Sequence, residues 1–209
     1  MARPRKSEGR DTRREILDAA LDLFAAGGYF GTSMRQIARA VGVRESALYH
    51  HFPSKEAILE DLLGELGPAK AQQLAAVDVP MMVKALGAEG MLRLLVDRVL
   101  EEWSDPREQK FFRLILSEGA RMNAHGVFDS RSFIDQARAQ VTRLFSELVR
   151  VKAIPKLDAQ AATIAFMGPL IALRVMYLGL PAGTPDMRGM KREAAAHLQY
   201  FLQSSLRKN

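Results

Sequence analysis

From Ile16 to Phe24 apolar residues return every three or four positions, as Ile16, Ala19, Ala20, Leu23 and Phe24, which places them on one face of a helix. Thr12, three residues before Glu15, has the spacing of a capping box and predicts the helix start. Gly27-Gly28 predicts its end, because glycine accepts the left-handed conformation at a helix C-terminus. Ser33 and Gln36 repeat the capping-box spacing, Ile37, Ala38 and Val41 follow on one face, and Gly42 stands where a tight turn needs positive φ. The pattern therefore predicts a second helix of about two turns. A third begins near Arg44 and turns Ala47, Leu48 and Phe52 inward, leaving Arg44, Glu45, Ser46, Tyr49 and His50 outward until Pro53 stops it. Ser54 can cap a fourth helix. Lys55 lies in that helix's first turn, where a cation gains nothing from the helix dipole, so its presence points to an external anion.

Downstream the helical period continues. A helix over 56–77 is interrupted near Gly67-Pro68, and others are predicted over 81–103, 106–123, 130–153, 158–180 and 186–206, separated by proline- and glycine-bearing breaks. No β alternation competes, so the predicted fold class is all-α. The segment 159–180 approaches the roughly 20 apolar residues that span a bilayer. Arg174 and the internal Gly168-Pro169 argue against insertion, and a helix apolar all round can equally be buried in protein. Burial, with no membrane, is the expectation.

Two short helices joined by a Val41-Gly42-Val43 turn and preceded by a longer one form a helix-turn-helix, which points to double-stranded DNA. Ile16-Leu17, Ala19-Ala20, Leu23-Phe24, Gly28, Thr32, Ile37-Ala38, Gly42-Val43, Leu48-Tyr49, His51-Phe52, Lys55 and Leu59 make an ordered pattern that resembles the N-terminal domain of the tetracycline-repressor (TetR) family of bacterial transcription regulators. At position 44, where many members place a helix-capping serine, this chain has an arginine. On this resemblance Thr32, Ser33, Arg44, Glu45, Ser46, Tyr49, His50 and Lys55 form the expected DNA contact set.

Charge supports a nucleic-acid partner. Of the net charge of +6, residues 1–14 supply +4 through Arg3, Arg5, Lys6, Arg10, Arg13 and Arg14 against Glu8 and Asp11. Beside a helix-turn-helix, such an arm is expected to reach phosphates or a minor groove, with Arg3 and Arg5 as its contacts. The chain has no cysteine, and its Arg-rich start is neither a signal peptide nor an anchor, so the expected location is cytoplasmic.

The resemblance implies an organisation: a flexible basic arm at 1–9, a DNA-binding domain at 10–70, and a larger helical effector-binding and dimerisation domain at 71–209. It also implies a homodimer built from the last two helices, with Phe166, Leu170, Leu173, Leu198, Tyr200, Phe201 and Leu202 as interface candidates, although some must serve the subunit core. A small-molecule effector is expected in the larger domain. Trp103, Phe111, Phe112, Met122, Phe128, Phe133, Met167 and Tyr177 are candidate pocket residues, although each taken alone is more readily explained as plain core. Arg174 reads either as a cation paired with Glu118 or Asp135, or as one that meets an anionic effector. Enzymatic chemistry finds little footing: adjacent His50 and His51 diverge by about 100° on a helix and cannot hold a metal together, and no phosphate loop, nucleophile elbow or HExxH is present. No cofactor or metal is expected. The functional expectation is a ligand-released repressor; an activator or an architectural DNA-binding protein is the alternative.

Overall fold

The computed structural model describes residues 8–67, 78–180 and 184–205. Among the described residues all regular elements are helical: α1 (Glu8–Gly27), α2 (Met34–Val41), α3 (Glu45–His51), α4 (Lys55–Leu66), α5 (Val79–Trp103), α6 (Pro106–Ala124), α7 (Ser130–Arg150), α8 (Ala159–Arg174), which runs on through a π-helical turn (Val175–Gly179), and α9 (Met187–Ser205). The chain divides into two compact units, Met1–Ala69 with Lys110–Ser130, and Lys70–Gln109 with Arg131–Asn209. The arm residues Arg3 and Arg5 and the break at Pro68 lie outside the described residues.

In the first unit α1 packs on α2 and α4, and α2 on α3. Because α1 meets two neighbours, its buried stripe is double: Ile16, Leu17, Ala20, Leu21 and Phe24 are buried, whereas Ala19 and Leu23, expected on that face, are half-buried. The helix also runs through Thr12 from Glu8, so the capping box expected at Thr12 does not start it. No proline interrupts the chain between them, and helical hydrogen bonding simply continues. From the other side, the part of α6 in this unit buries Phe111, Leu114 and Met122, and grips α1 and the turn that follows it. Lys110 pairs with Asp22, the Arg121 guanidinium lies 4.5 Å over the Phe30 ring, and the His125 ring stacks 4.8 Å from the same ring.

In the second unit α9 packs on α8 and α5. Phe145 of α7, Phe166 of α8 and Phe201 of α9 form an aromatic cluster with ring centroids 5.3 to 5.7 Å apart. Asp158 caps α8 through the amides of Gln160 and Ala161 at 2.8 and 3.0 Å, and α5 bends where Gly87 leaves helical geometry at φ 69°.

This core settles a question that periodicity left open. Phe166, Leu170, Leu173, Leu198, Phe201 and Leu202, expected at a dimer interface, are all buried within their own subunit. The opposite face of α8 and its π-turn is open: Ile164 is 58 % exposed and Met176 59 %, with Ile171, Ala161, Ala165 and Ala172 exposed between them and Tyr200 of α9 at 71 %. Residues 159–179 are long and apolar enough to cross a membrane by length and composition, yet only 33 % of that window is buried. Burial inside the subunit therefore accounts for one face of this helix and not for the other.

Candidate nucleic-acid interface

The turn between α2 and α3 is built by local chemistry. Ser33 Oγ accepts the Gln36 amide at 3.3 Å while Gln36 Oε1 accepts the Ser33 amide at 2.7 Å, closing a complete capping box. Gly42 adopts φ 80°, which lets the Val43 amide reach back to the Ala38 carbonyl at 3.0 Å. α3 then buries Leu48, and Phe52 follows it into the core. The Arg13 guanidinium of α1 lies 4.2 Å over the Phe52 ring, donates to the His51 carbonyl at 2.9 Å and pairs with Asp61 of α4, while Arg14 pairs with Glu65 at 3.1 Å. Two of the basic residues counted with the arm thus act inside the fold, tying α1 to the recognition segment.

Burial on one side leaves a continuous polar surface on the other. Arg44, Glu45, Ser46, Tyr49 and His50 are exposed on α3, as expected, and Ser33 is exposed at the start of α2. Arg35 and Arg39 of α2, outside the expected contact set, join them; with Ile37 and Ala38 buried, the helical period turns 35 and 39 outward, a signal legible in the sequence. Between Met34 and His51 this surface carries three arginines against one glutamate, the charge balance that attracts phosphates.

Two members of the expected contact set are placed differently. Thr32 is only 5 % exposed, and its hydroxyl lies 2.9 Å from the Gly28 carbonyl and 3.2 Å from that of Leu23, so its side chain closes the α1–α2 turn from within. Lys55 Nζ donates to the carbonyls of Tyr29 and Thr32, both at 2.8 Å, and sits 4.3 Å over the Tyr29 ring. The lysine thus has internal partners, the negative ends of two neutral carbonyl dipoles, and needs no external anion to explain its position. Desolvation pulls its ammonium below the ordinary lysine range, and the neighbouring Glu56 carboxylate pushes it back up. Glu56 itself accepts the Tyr29 hydroxyl at 3.0 Å. Its carboxyl is held below the usual range, first by its own backbone amide and then by Ser54, Tyr29 and Lys55, against a desolvation that opposes them. The Tyr29 phenol is pushed up, by burial first and by Glu56 second. Lys55, Glu56 and Tyr29 together clamp the start of α4 to the α1–α2 turn.

The effector candidates are shared between the two units. Phe111, Phe112, Met122 and Phe128 belong to the first unit; Trp103, Phe133, Met167, Arg174 and Tyr177 belong to the second. Trp103 and Arg174 meet: the guanidinium lies 4.8 Å over the indole and pairs with Glu108 at 2.5 Å. Glu108 therefore takes the place expected for Glu118 or Asp135, which pair instead with Arg121 and with Arg131 and Arg138. Burial depresses the Arg174 pKa, with Glu108 and then Glu102 resisting it. Tyr177 donates to Glu193 at 2.5 Å.

Residues 16–62 match the family model for bacterial regulatory proteins of the tetR family. The chain is 26 % identical over 211 residues to the HTH-type transcriptional regulator AcrR of Shigella flexneri, an alignment covering 99 % of this chain and 94 % of that protein. A crystal structure of a TetR-family regulator from Mesorhizobium loti, 26 % identical, superposes with a TM-score of 0.65 over 96 % of this chain and 98 % of its own. The flavonoid-responsive regulator FrrA, also 26 % identical, superposes with a TM-score of 0.61 over 96 % of this chain and all of its own. A matching helix-turn-helix, relatives that align from end to end and a shared fold agree, and these relatives are regulators rather than enzymes: the chain belongs to the tetracycline-repressor family of DNA-binding transcription regulators.

Proposed function

We propose that this regulator is a homodimeric repressor that leaves a palindromic operator when a small molecule binds its second unit. The observation that carries the reading is the outward face of α3. Arg44, Ser46, Tyr49 and His50 are exposed, and among the described residues no hydrogen bond or ion pair holds their side chains, while on the inward side Leu48 and Phe52 are buried and Ala47 is half-buried. In this reading Arg44, Ser46 and His50 approach base edges, Tyr49 meets phosphate, Arg35 and Arg39 add phosphate contacts from α2, and Arg3 and Arg5 follow the adjoining groove. The DNA-binding role belongs to residues 10–70 with the arm at 1–9, and the effector and dimerisation roles to 71–209.

A palindromic site requires two recognition helices related by a two-fold axis, about one turn of DNA or ~34 Å apart. The exposed apolar stripe of α8, Ile164, Ala165, Ile171, Ala172 and Met176 with Tyr200 of α9, supports the dimer and replaces the buried set as its interface. Small alanines among the larger residues let two such helices approach closely. Support for a small-molecule effector comes from FrrA, named for its response to flavonoids. The effector must bind the free and DNA-bound states unequally, and it acts by moving α4, whose first residues hold the α1–α2 turn. The protein works in the cytoplasm.

Selection of bound sequences from random DNA, repeated with candidate small molecules, tests the reading. A repressor should enrich one palindrome by ~10³ or more over random sequence and release it with the right ligand. Uniform binding to all sequences would instead indicate an architectural protein. A reporter placed behind the selected site then reads the sign of regulation.

A further inference from the structure

We infer that Arg44 reads a guanine in each operator half-site; the inference rests on the DNA-binding reading and names the base. The chain follows a local capping rule at many helix starts and breaks it at this one. Ser33 caps α2, Ser54 accepts the Ala57 amide at the start of α4, and Asp78 accepts the Met81 amide at the start of α5. Asp105 caps α6, Asp158 caps α8, and Asp186 accepts the Gly189 amide at the start of α9. Short polar side chains at these positions satisfy amides that have no partner within the helix. α3 instead starts on Arg44, whose backbone has the extended geometry of a cap (φ −71°, ψ 146°) and whose side chain makes no capping bond. The residue is also a cation at the positive end of a helix, where the dipole disfavours it. A serine would suit the backbone and the electrostatics better, so folding does not account for the arginine.

The side chain is also unengaged. Arg13, Arg14 and Arg174 are each drawn into ion pairs inside the fold, whereas Arg44 is exposed and holds no partner among the described residues. It stands at the N-terminal end of the recognition helix, the end that meets base edges when such a helix enters the major groove. There the planar fork of a guanidinium matches the two acceptors that guanine alone presents side by side, O6 and N7. A phosphate contact would need only charge, which lysine supplies as well.

The test uses the full-length protein as wild type, Arg44→Ser and Arg44→Lys, each put through selection from random DNA and thermal unfolding. Wild type should select one guanine at a fixed position in each half-site. Arg44→Ser should lose preference at that position alone, by roughly 5- to 150-fold, the range expected for one bidentate base contact. It should also melt no lower than wild type, since it gains a cap. Arg44→Lys should bind random DNA as well as wild type but discriminate less at the same position. Unchanged preference in Arg44→Ser, a uniform loss over all sequences that lysine restores, or a lower melting point would each overturn the inference while leaving the DNA-binding reading intact. Failure of wild type to select any sequence would overturn both.

Discussion

Replacing Lys55 with methionine keeps the length of the side chain and removes the ammonium, which separates two explanations of this residue. The structure gives it two hydrogen bonds of 2.8 Å to the Tyr29 and Thr32 carbonyls and a place over the Tyr29 ring. A hydrogen bond from a charged donor contributes roughly 1.5–3 kcal/mol, and a cation over an aromatic face about 0.5–1 kcal/mol. Desolvation of the ammonium, which depresses its pKa, offsets part of this, and methionine packs better than it hydrogen-bonds. A net loss of about 2–4 kcal/mol follows, most of it from carbonyls left without their donor. With an m-value of about 2 kcal/mol/M, the urea midpoint of the helix-turn-helix unit should fall by ~1–2 M. A global unfolding curve would mix the two units, so the assay is hydrogen exchange resolved by segment at increasing urea, read over residues 29–66. If Lys55 is instead a phosphate contact, Lys55→Met would leave exchange within about 0.5 kcal/mol of wild type and make the slope of log K against log salt shallower by ~0.9. That pair of results would refute the clamp.

Other outcomes follow from the same geometry. The folded-state pKa of Glu56 is depressed, so its contribution is present above the unfolded value near ~4.3 and is lost as pH falls through the lower folded value. Glu56→Gln should flatten the acid limb of a stability-versus-pH curve measured by denaturant titration, and an unchanged limb would count against the network. Tyr29 is raised, so its contribution persists below about pH 10 and fades as pH climbs towards the higher folded value; Tyr29→Phe should remove that alkaline dependence. Arg174→Met should destabilise the second unit by roughly 3–5 kcal/mol because it leaves Glu108 buried without its guanidinium, and adding Glu108→Leu should restore most of the loss in thermal unfolding. Ile171→Glu should lower the light-scattering mass from twice 23.2 kDa towards the single chain with helicity intact, whereas Phe201→Asp should unfold the subunit; a dimer that survives Ile171→Glu places its interface elsewhere.

What the sequence disclosed was local. Ser33 with Gln36, Gly42, Ser54 and Leu48 announced α2, the turn, α4 and the buried side of α3, because caps and helical periods act within a few residues. The inward Thr32 was hidden, since its hydroxyl reaches back to Leu23, nine positions earlier. The internal bonds of Lys55 were hidden for the same reason: its acceptors lie 26 and 23 residues away, and no spacing rule connects them. Arg174 and Glu108 are 66 positions apart, so the lysine's difficulty recurs there on a longer scale. On α8 the obstacle was different. Periodicity sorts residues only when one face is polar, and here Phe166 and Ile164 look alike in composition although one is buried and the other open. The double stripe of α1 likewise depended on how many neighbours it met.

The division of labour across α3 bears on how such a protein changes over evolutionary time. Leu48 and Phe52 anchor the segment to the core and Arg13 ties it to α1, while among the described residues no hydrogen bond or ion pair engages the side chains at 44, 46, 49 and 50. Substitutions at those four positions therefore leave the scaffold almost untouched, within the few tenths of a kcal/mol typical of exposed sites. After gene duplication, two copies could drift to different target sequences without passing through an unfolded intermediate. For the same reason, this short helix is the place where a laboratory could rewrite target choice by exhaustive variation of four codons.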